Sequence, residues 1–288
     1  MCLLKRIFQI VPMMLVSLAA EGWVGAELKP LEKHKSDLAA EQSGTYYQLS
    51  DGERKELVWM VKAALSAYPD GEKPLGYRSF TREEWNACAK DCPDFVYTED
   101  GYFNVGSGLR GRLMVHMVNE GRVVLSLCGC NFDDREEFAK DIKSCVAHYL
   151  TGAGKQHLQA LNLMQGVLGG KPRSHLWIVG HSLGGSLTTY LALHLPESRT
   201  RVKCATFNGY GISPAIEVNE AKQGLVAKRL CNVYCDGDPV YNNKFMPVAA
   251  RHFGPSYSLV GRGDWFEQHG LDNMVKLMIR NRTGWAGL

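Results

Sequence analysis

Neither sign of charge is in much excess here: 33 Lys and Arg stand against 30 Asp and Glu, a net charge of +3 over 288 residues. No Lys/Arg-rich run interleaves with aromatic residues, so the electrostatic footprint of a nucleic-acid binder is missing. No Gly-Lys-Ser/Thr closes a glycine-rich loop, which removes the phosphate-cradling loop from consideration. There is no internal repeat and no low-complexity stretch, so repeat arrays and compositional disorder drop out. The nine cysteines include Cys88 and Cys92, Cys128 and Cys130, and Cys231 and Cys235, but no histidine pair supports these spacings as zinc knuckles. What remains is ordinary for a globular chain, 45% hydrophobic and 22% charged residues, at a length natural for one domain with a small extension.

The first residues read as an export signal. Lys5 and Arg6 form a short basic start, and Ile7 to Ala20 is a mostly apolar run of 14 residues. Val24 and Ala26 follow at the small-residue spacing of a signal-peptidase site, so cleavage after Ala26 and an exported protein are expected. The apolar run is shorter than the roughly 20 residues a spanning helix needs, which disfavours an uncleaved anchor. An exported chain meets an oxidising compartment, so disulfides are open to the cysteines beyond Ala26. Several of them lie in apolar strand-like runs, where a buried free thiol is the ordinary alternative. Residues 27–48 are polar and unpatterned and read as a linker, leaving residues 49–288 as a single domain.

Along that domain, Ser50 with Glu53 and Thr81 with Glu84 read as capping boxes opening two helices. From Phe95 to Leu127 the pattern changes to strands, with turn signals at Thr98-Glu99-Asp100-Gly101 and at Asn119-Glu120-Gly121. Beyond that the chain alternates. Helical stripes cover about Asp134–Tyr149, His157–Leu168, Ser182–Leu195, Ala215–Ala227 and Leu271–Arg280. Apolar strand-like runs occupy His175–Val179, Arg201–Phe207 and Leu230–Cys235. Such alternation predicts an α/β fold, a mostly parallel central sheet with helices on both faces, entered through an N-terminal antiparallel meander.

Gly180-His181-Ser182-Leu183-Gly184 matches G-x-S-x-G. The pentapeptide alone is weak, but the strand Leu176–Val179 precedes it, and Leu187, Tyr190, Leu191 and Leu195 mark a helix after it. Strand, tight turn and helix are the context the motif requires of a nucleophilic serine. A serine hydroxyl needs a base, and the base an orienting carboxylate, in the chain order Ser, Asp/Glu, His for such an elbow. Of the later histidines, His194 lies inside the following helix, which leaves His252 and His269. His269 is preferred at a loop-to-helix junction, because Ala249–Phe253 around His252 reads as a strand. Asp236 and Asp238 both follow the strand Leu230–Cys235. Asp238, one step further into the loop and fixed by Pro239, is preferred as the acid. His181 is expected to pack behind the elbow.

Gly180-His181-Ser182-Leu183-Gly184-Gly185 resembles the nucleophile elbow of the class-three lipases and related bacterial phospholipase-like proteins, members of the α/β-hydrolase superfamily. Val202 to Gly209 and Asp238-Pro239-Val240 are similar to other segments of that family, and the likeness spans about Val123 to Ile279. By the resemblance the triad is Ser182, Asp238 and His269. Where those lipases carry an Arg-Gly-Thr-like turn, this chain has Cys128-Gly129-Cys130. The expected oxyanion hole combines the backbone N–H groups of Leu183 and Cys130. The resemblance implies a carboxylic-ester hydrolase acting on acylglycerol or phospholipid at a membrane or micelle surface, with no metal or organic cofactor and no nucleic acid as partner. A soluble short-chain or carbohydrate-ester esterase, and a silent hydrolase-fold protein that binds lipid or a partner, are the competing expectations. Tyr241 to Ala250, with Phe245, Met246 and Val248, is expected to border the acyl site.

Overall fold

Strands that are apolar at nearly every position need cover on both faces, and the fold supplies it. The computed structural model describes residues 44–90, 95–98, 100–131, 133–196, 201–242, 250–261 and 263–280. The expected signal segment, its cleavage point after Ala26, most of the 27–48 linker, Cys92, and Phe245, Met246 and Val248 lie outside the described residues.

The described strands are β1 (Gly44–Thr45), β2 (Tyr77–Ser79), β3 (Phe95–Tyr97), β4 (Tyr102–Val105), β5 (Arg110–His116), β6 (Arg122–Leu127), β7 (His175–His181), β8 (Arg201–Phe207), β9 (Leu230–Cys235) and β10 (Ser256–Leu259). They form one sheet in the order β1-β10-β9-β8-β7-β6-β5-β4-β3, with β2 also pairing with β5. From β1 across to β6 every pairing is parallel. From β6 to β3, and between β2 and β5, every pairing is antiparallel. The expected mostly parallel α/β sheet is thus present, with the antiparallel meander at one side of it.

Eight helices belong to the described residues: α1 (Asp51–Leu65), α2 (Arg82–Cys88), α3 (Arg135–Thr151), α4 (Lys155–Gly169), α5 (Leu183–His194), α6 (Glu220–Arg229), α7 (Trp265–His269) and α8 (Leu271–Arg280). Both anticipated capping boxes form, Ser50 with Glu53 and Thr81 with Glu84. Alternate strand residues divide between two cores. Val123, Leu125, Leu127, Leu176 and Ile178 pack towards α2, α4 and α5. Val124, Val179, Phe207 and Val233 pack towards α1 and α8. A period of two with apolar residues on both sides explains why these strands read as unbroken hydrophobic runs.

Three local expectations need correction. The helix placed at Ala215–Ala227 begins only at Glu220, because Asn219 caps it, accepting from the Lys222 N–H, while Ser213 Oγ turns the chain back onto the Ala215 N–H. The strand placed at Ala249–Phe253 is absent among the described residues there, where Arg251 makes only an isolated bridge to Ile212. Gly254, at φ +75°, and Pro255 break the run beyond it. Residues 44–48, placed in the linker, are instead built into the domain. Gly44–Thr45 pairs with β10, and Tyr46 in the single turn that follows is buried.

Candidate active site

The parallel strands deliver chain to one end of the sheet, and the polar groups there come from four adjacent strand ends. The turn Cys128–Asn131 follows β6, Ser182 follows β7, Asn208 follows β8, and Asp238 follows β9. Ser182 sits in a sharp turn at φ 56°, ψ −122°, a conformation costly for a residue with a side chain. The turn closes only because of the small residues around it. A Cβ at Gly180 would lie 2.0 Å from the Gly184 carbonyl oxygen, and one at Gly184 would lie 2.3 Å from that of Leu127. The Ser182 carbonyl accepts from the Gly185 and Tyr210 N–H groups at 2.9 and 3.0 Å, which ties the turn to α5 and to the end of β8. Helix α5 then starts at Leu183 and is buried through Leu193, so the positive end of its dipole is presented in a site shielded from water.

His269 is the last residue of the short helix α7, just ahead of Gly270. Its Nδ1 lies 2.6 Å from Oδ2 of Asp238, a carboxylate with no exposed surface. A carboxylate only accepts, so Nδ1 carries the proton and Nε2 keeps a free lone pair. The other Asp238 oxygen accepts from the Tyr241 N–H at 2.6 Å. His269 Nε2 is buried with no hydrogen-bond partner, Ser182 Oγ included. Such contacts are often long before substrate binds. The alternatives are placed elsewhere. Asp236 is exposed. His252 points Nε2 at the Tyr241 carbonyl at 3.2 Å and stacks on that ring, and burial pushes it down to about 4.

Behind His269, Asn208 holds the end of α7. Its Nδ2 donates to the carbonyls of Gln268 and His269 at 2.7 and 3.1 Å, and its Oδ1 accepts from the Cys235 N–H at 2.8 Å. Asn208 takes φ 45°, in the left-handed region that asparagine tolerates better than most residues.

The turn after β6 is fixed from below by charge. Arg110, on β5, donates to the Gly129 carbonyl at 3.2 Å, to Asp141 at 2.7 Å and to Glu137 at 2.6 Å. Asp141, on α3, accepts in turn from the Asn131 N–H and from Gln156 at 3.0 Å each. The turn thus hangs between the two members of a buried ion pair, which removing either partner would leave with an uncompensated charge. Gly129 lies directly against the serine, since a Cβ there would come within 2.9 Å of Ser182 Cβ. Its N–H is occupied by Tyr68 Oη at 3.2 Å. No backbone hydrogen bond occupies the Cys130 N–H among the described residues. Cys88, Cys128, Cys130, Cys145, Cys204, Cys231 and Cys235 are free thiols. A hydrogen bond to Cys145, followed by burial, holds the Cys130 thiol well above its ordinary range, so it is not an exposed thiolate nucleophile.

The structure therefore brings Asp238 and His269 into contact at the strand ends that carry Ser182, Leu183 and Cys130, and leaves Asp236 and His252 outside. Sequence reasoning did not find Tyr68, Arg110 or Asp141. Arg110 and Asp141 are ordinary charged residues in an ordinary strand and helix, and nothing local marks them.

Residues 123–246 match the model of the class 3 lipase family, a span that includes Cys130, Ser182 and Asp238 and stops short of His269. No curated protein matches the chain. Among solved structures, a triacylglycerol lipase from Penicillium expansum is similar at a TM-score of 0.41 and 15% identity, over 73% of this chain and 79% of that one. The Lip2 lipase from Yarrowia lipolytica is similar at a TM-score of 0.44 and 14% identity, over 83% of this chain and 92% of that one.

Proposed function

We propose that this chain, a serine-type carboxylic-ester hydrolase with a class 3 lipase segment at residues 123–246, cleaves lipid esters through an acyl-enzyme formed on Ser182. The observation that carries the reading is the His269–Asp238 contact of 2.6 Å, with Nε2 left free at the end of the sheet that holds the strained serine. In this reaction His269 Nε2 takes the Ser182 proton as Oγ attacks the ester carbonyl. The N–H groups of Leu183 and Cys130 receive the oxyanion, and the protonated His269 returns its proton to the departing alcohol. His269 then draws a proton from water, whose oxygen attacks the acyl carbon and releases the acid. Asp238 fixes the tautomer and balances the transient imidazolium charge. We further read the substrate as an acylglycerol or phospholipid met at a membrane or micelle surface, and the enzyme as exported after loss of residues 1–26, on the basis of the family match and the N-terminal pattern.

Ser182→Ala is expected to lose about 10⁴–10⁶ in kcat while remaining folded, and to abolish fluorophosphonate labelling. Labelling of folded wild type at another residue, or none, would overturn the assignment. Rates across long-chain phospholipids, triacylglycerols and soluble butyryl esters test the substrate. A rate that peaks on butyryl esters and ignores micelle formation sinks the interfacial reading. The N-terminal sequence of the protein recovered outside the cell tests export.

A further inference from the structure

His181, beside the serine, and Tyr68, in the turn after α1, have no part in the steps above, yet they join the two halves of the site. Tyr68 Oη lies 2.8 Å from His181 Nδ1, and His181 Nε2 lies 2.8 Å from the backbone carbonyl of His269. At its other side Tyr68 Oη receives the Gly129 N–H at 3.2 Å.

The protons in this chain have one consistent arrangement. The His269 carbonyl only accepts, so His181 Nε2 must carry a hydrogen. A neutral His181 then has a bare Nδ1, which only accepts, so the Tyr68 hydroxyl must donate to it. That leaves a Tyr68 lone pair for Gly129. The direction runs without a break from the Gly129 N–H to Tyr68, from the Tyr68 O–H to His181, and from the His181 N–H to His269. A charged His181 would reverse the middle link and leave the hydroxyl hydrogen with no acceptor in the chain. Burial, with the nearby His269 as a second cause, lowers His181 to about 3, so it stays neutral wherever the enzyme works. Burial also pushes the Tyr68 phenol up, which keeps its proton in place.

Tyr68 is itself fixed from several sides. Its N–H returns to the Leu65 carbonyl at 3.1 Å, and Cys128 Sγ donates to the Ala67 carbonyl at 2.7 Å. Arg112 donates to the carbonyls of Gly71 and Pro69 at 2.7 and 3.4 Å. A donor network anchored this way restrains whatever it touches, and at one end it touches the residue between Cys128 and Cys130, at the other the carbonyl of the base.

We propose that Tyr68 and His181 are positioning residues, which set the oxyanion turn and the backbone of His269 at a fixed spacing around Ser182. The inference rests on the triad and oxyanion assignments made above. Cutting the chain moves neither acid, base nor nucleophile directly. It lets the second donor and the imidazole drift relative to each other, which costs the transition state more than the bound substrate.

The test uses the full chain and four variants, Tyr68→Phe, His181→Leu, His181→Gln and the Tyr68→Phe/His181→Leu double. Each is compared with wild type for thermal unfolding, kcat and KM on the best ester of the panel. Tyr68→Phe and His181→Leu are each expected to lose about 10- to 100-fold in kcat with KM little changed, at or below the loss typical of one oxyanion donor. The double variant loses no more than the worse single, because both cut one chain. His181→Gln recovers most of the rate, since an amide offers an N–H towards His269 and an oxygen to Tyr68. Wild-type kcat in folded Tyr68→Phe and His181→Leu, losses that multiply in the double, or a Gln variant as slow as Leu would each overturn the proposal. Nitrogen NMR of His181 in wild type needs no variant to fold: the Nε2–H tautomer is expected, and the Nδ1–H tautomer or an imidazolium at pH 6 overturns the chain. A wild type with the expected tautomer but no ester turnover and no label on Ser182 refutes the hydrolase reading instead.

Discussion

His181 and His269 face each other with 4.7 Å between ring centroids, and His148 and His157 stack at 3.8 Å with their planes 7° apart. All four are buried. In the first pair every ring nitrogen has a partner except His269 Nε2, and one of the two rings leans on a carboxylate. In the second pair, His148 Nε2 accepts from the Ser213 N–H and His157 Nε2 meets Ser186 Oγ, each at 3.2 Å, while both Nδ1 atoms lack partners and no carboxylate bonds either ring. Burial lowers His148 to about 4 and drives His157 well below its ordinary value, with His148 adding to the effect. Burial alone makes a histidine neutral and inert. A buried base needs a counter-charge arranged before the proton arrives.

The largest expected effect comes from erasing that difference. Asp238→Asn leaves His269, the proposed base, with a neutral neighbour, and kcat should fall by about 10⁴ with the fold retained, as for loss of the orienting acid in other triads. Circular dichroism with steady-state rates checks this, and a folded Asn variant within tenfold of wild type would contradict it.

Histidines buried without a counter-charge also make stability depend on pH. His148, His157, His181 and His252 all have folded values below the unfolded value of about 6.5. Between those limits the unfolded chain binds protons that the native state does not, so stability is full above about pH 6.5 and is lost as pH falls. Each such group adds a slope of roughly 1.4 kcal/mol per pH unit in that window. Urea midpoints between pH 7 and pH 4.5 should drop steeply, and His157→Gln should flatten the drop by about one proton's worth. A midpoint that does not move with pH over that range would rule the account out.

The smallest effect belongs to a pair of another kind, the half-buried thiol of Cys130 and the buried thiol of Cys145. Neither the proposed oxyanion contact nor the ion-pair clamp uses the Cys130 sulfur, so Cys130→Ala should keep kcat within about threefold. A folded but inactive alanine variant would mean that the side chain, and not only its N–H, shapes the hole.

What the sequence disclosed follows the range of the interactions. The strand, serine and helix of the elbow are contiguous, and Gly180 is required by a contact only four residues away, at the Gly184 carbonyl, so the motif is visible locally. Asp238 and His269 could be sought because topology fixes their order and the strand that precedes the acid. Two-sided burial, visible as unbroken apolar runs, gave the parallel strands. Tyr68 was out of reach because it meets His181 across 113 residues and sits in a turn with no signature of its own. Arg110 and Asp141 escaped for the same reason, since a buried ion pair looks like two surface charges until the strand and helix are docked. The late start of α6 and the inclusion of residues 44–48 turn on single side chains, the Asn219 cap and the buried Tyr46, which periodicity does not weigh.

The sheet order also sets how the site comes apart. Ser182, the turn after β6 and Asp238 hang from strands with paired neighbours on both sides, whereas His269 comes after β10, a four-residue strand whose outer neighbour is the two-residue β1. Native proteins open piecemeal, and short edge segments open at lower free energy than the centre. Amide exchange around β10 and α7 should therefore outrun that of β6 and β7, and on warming His269 is expected to come away from Asp238 while the turn at Ser182 is still folded. Loss of turnover would come ahead of loss of structure, and on cooling the same small segment is the last to be restored.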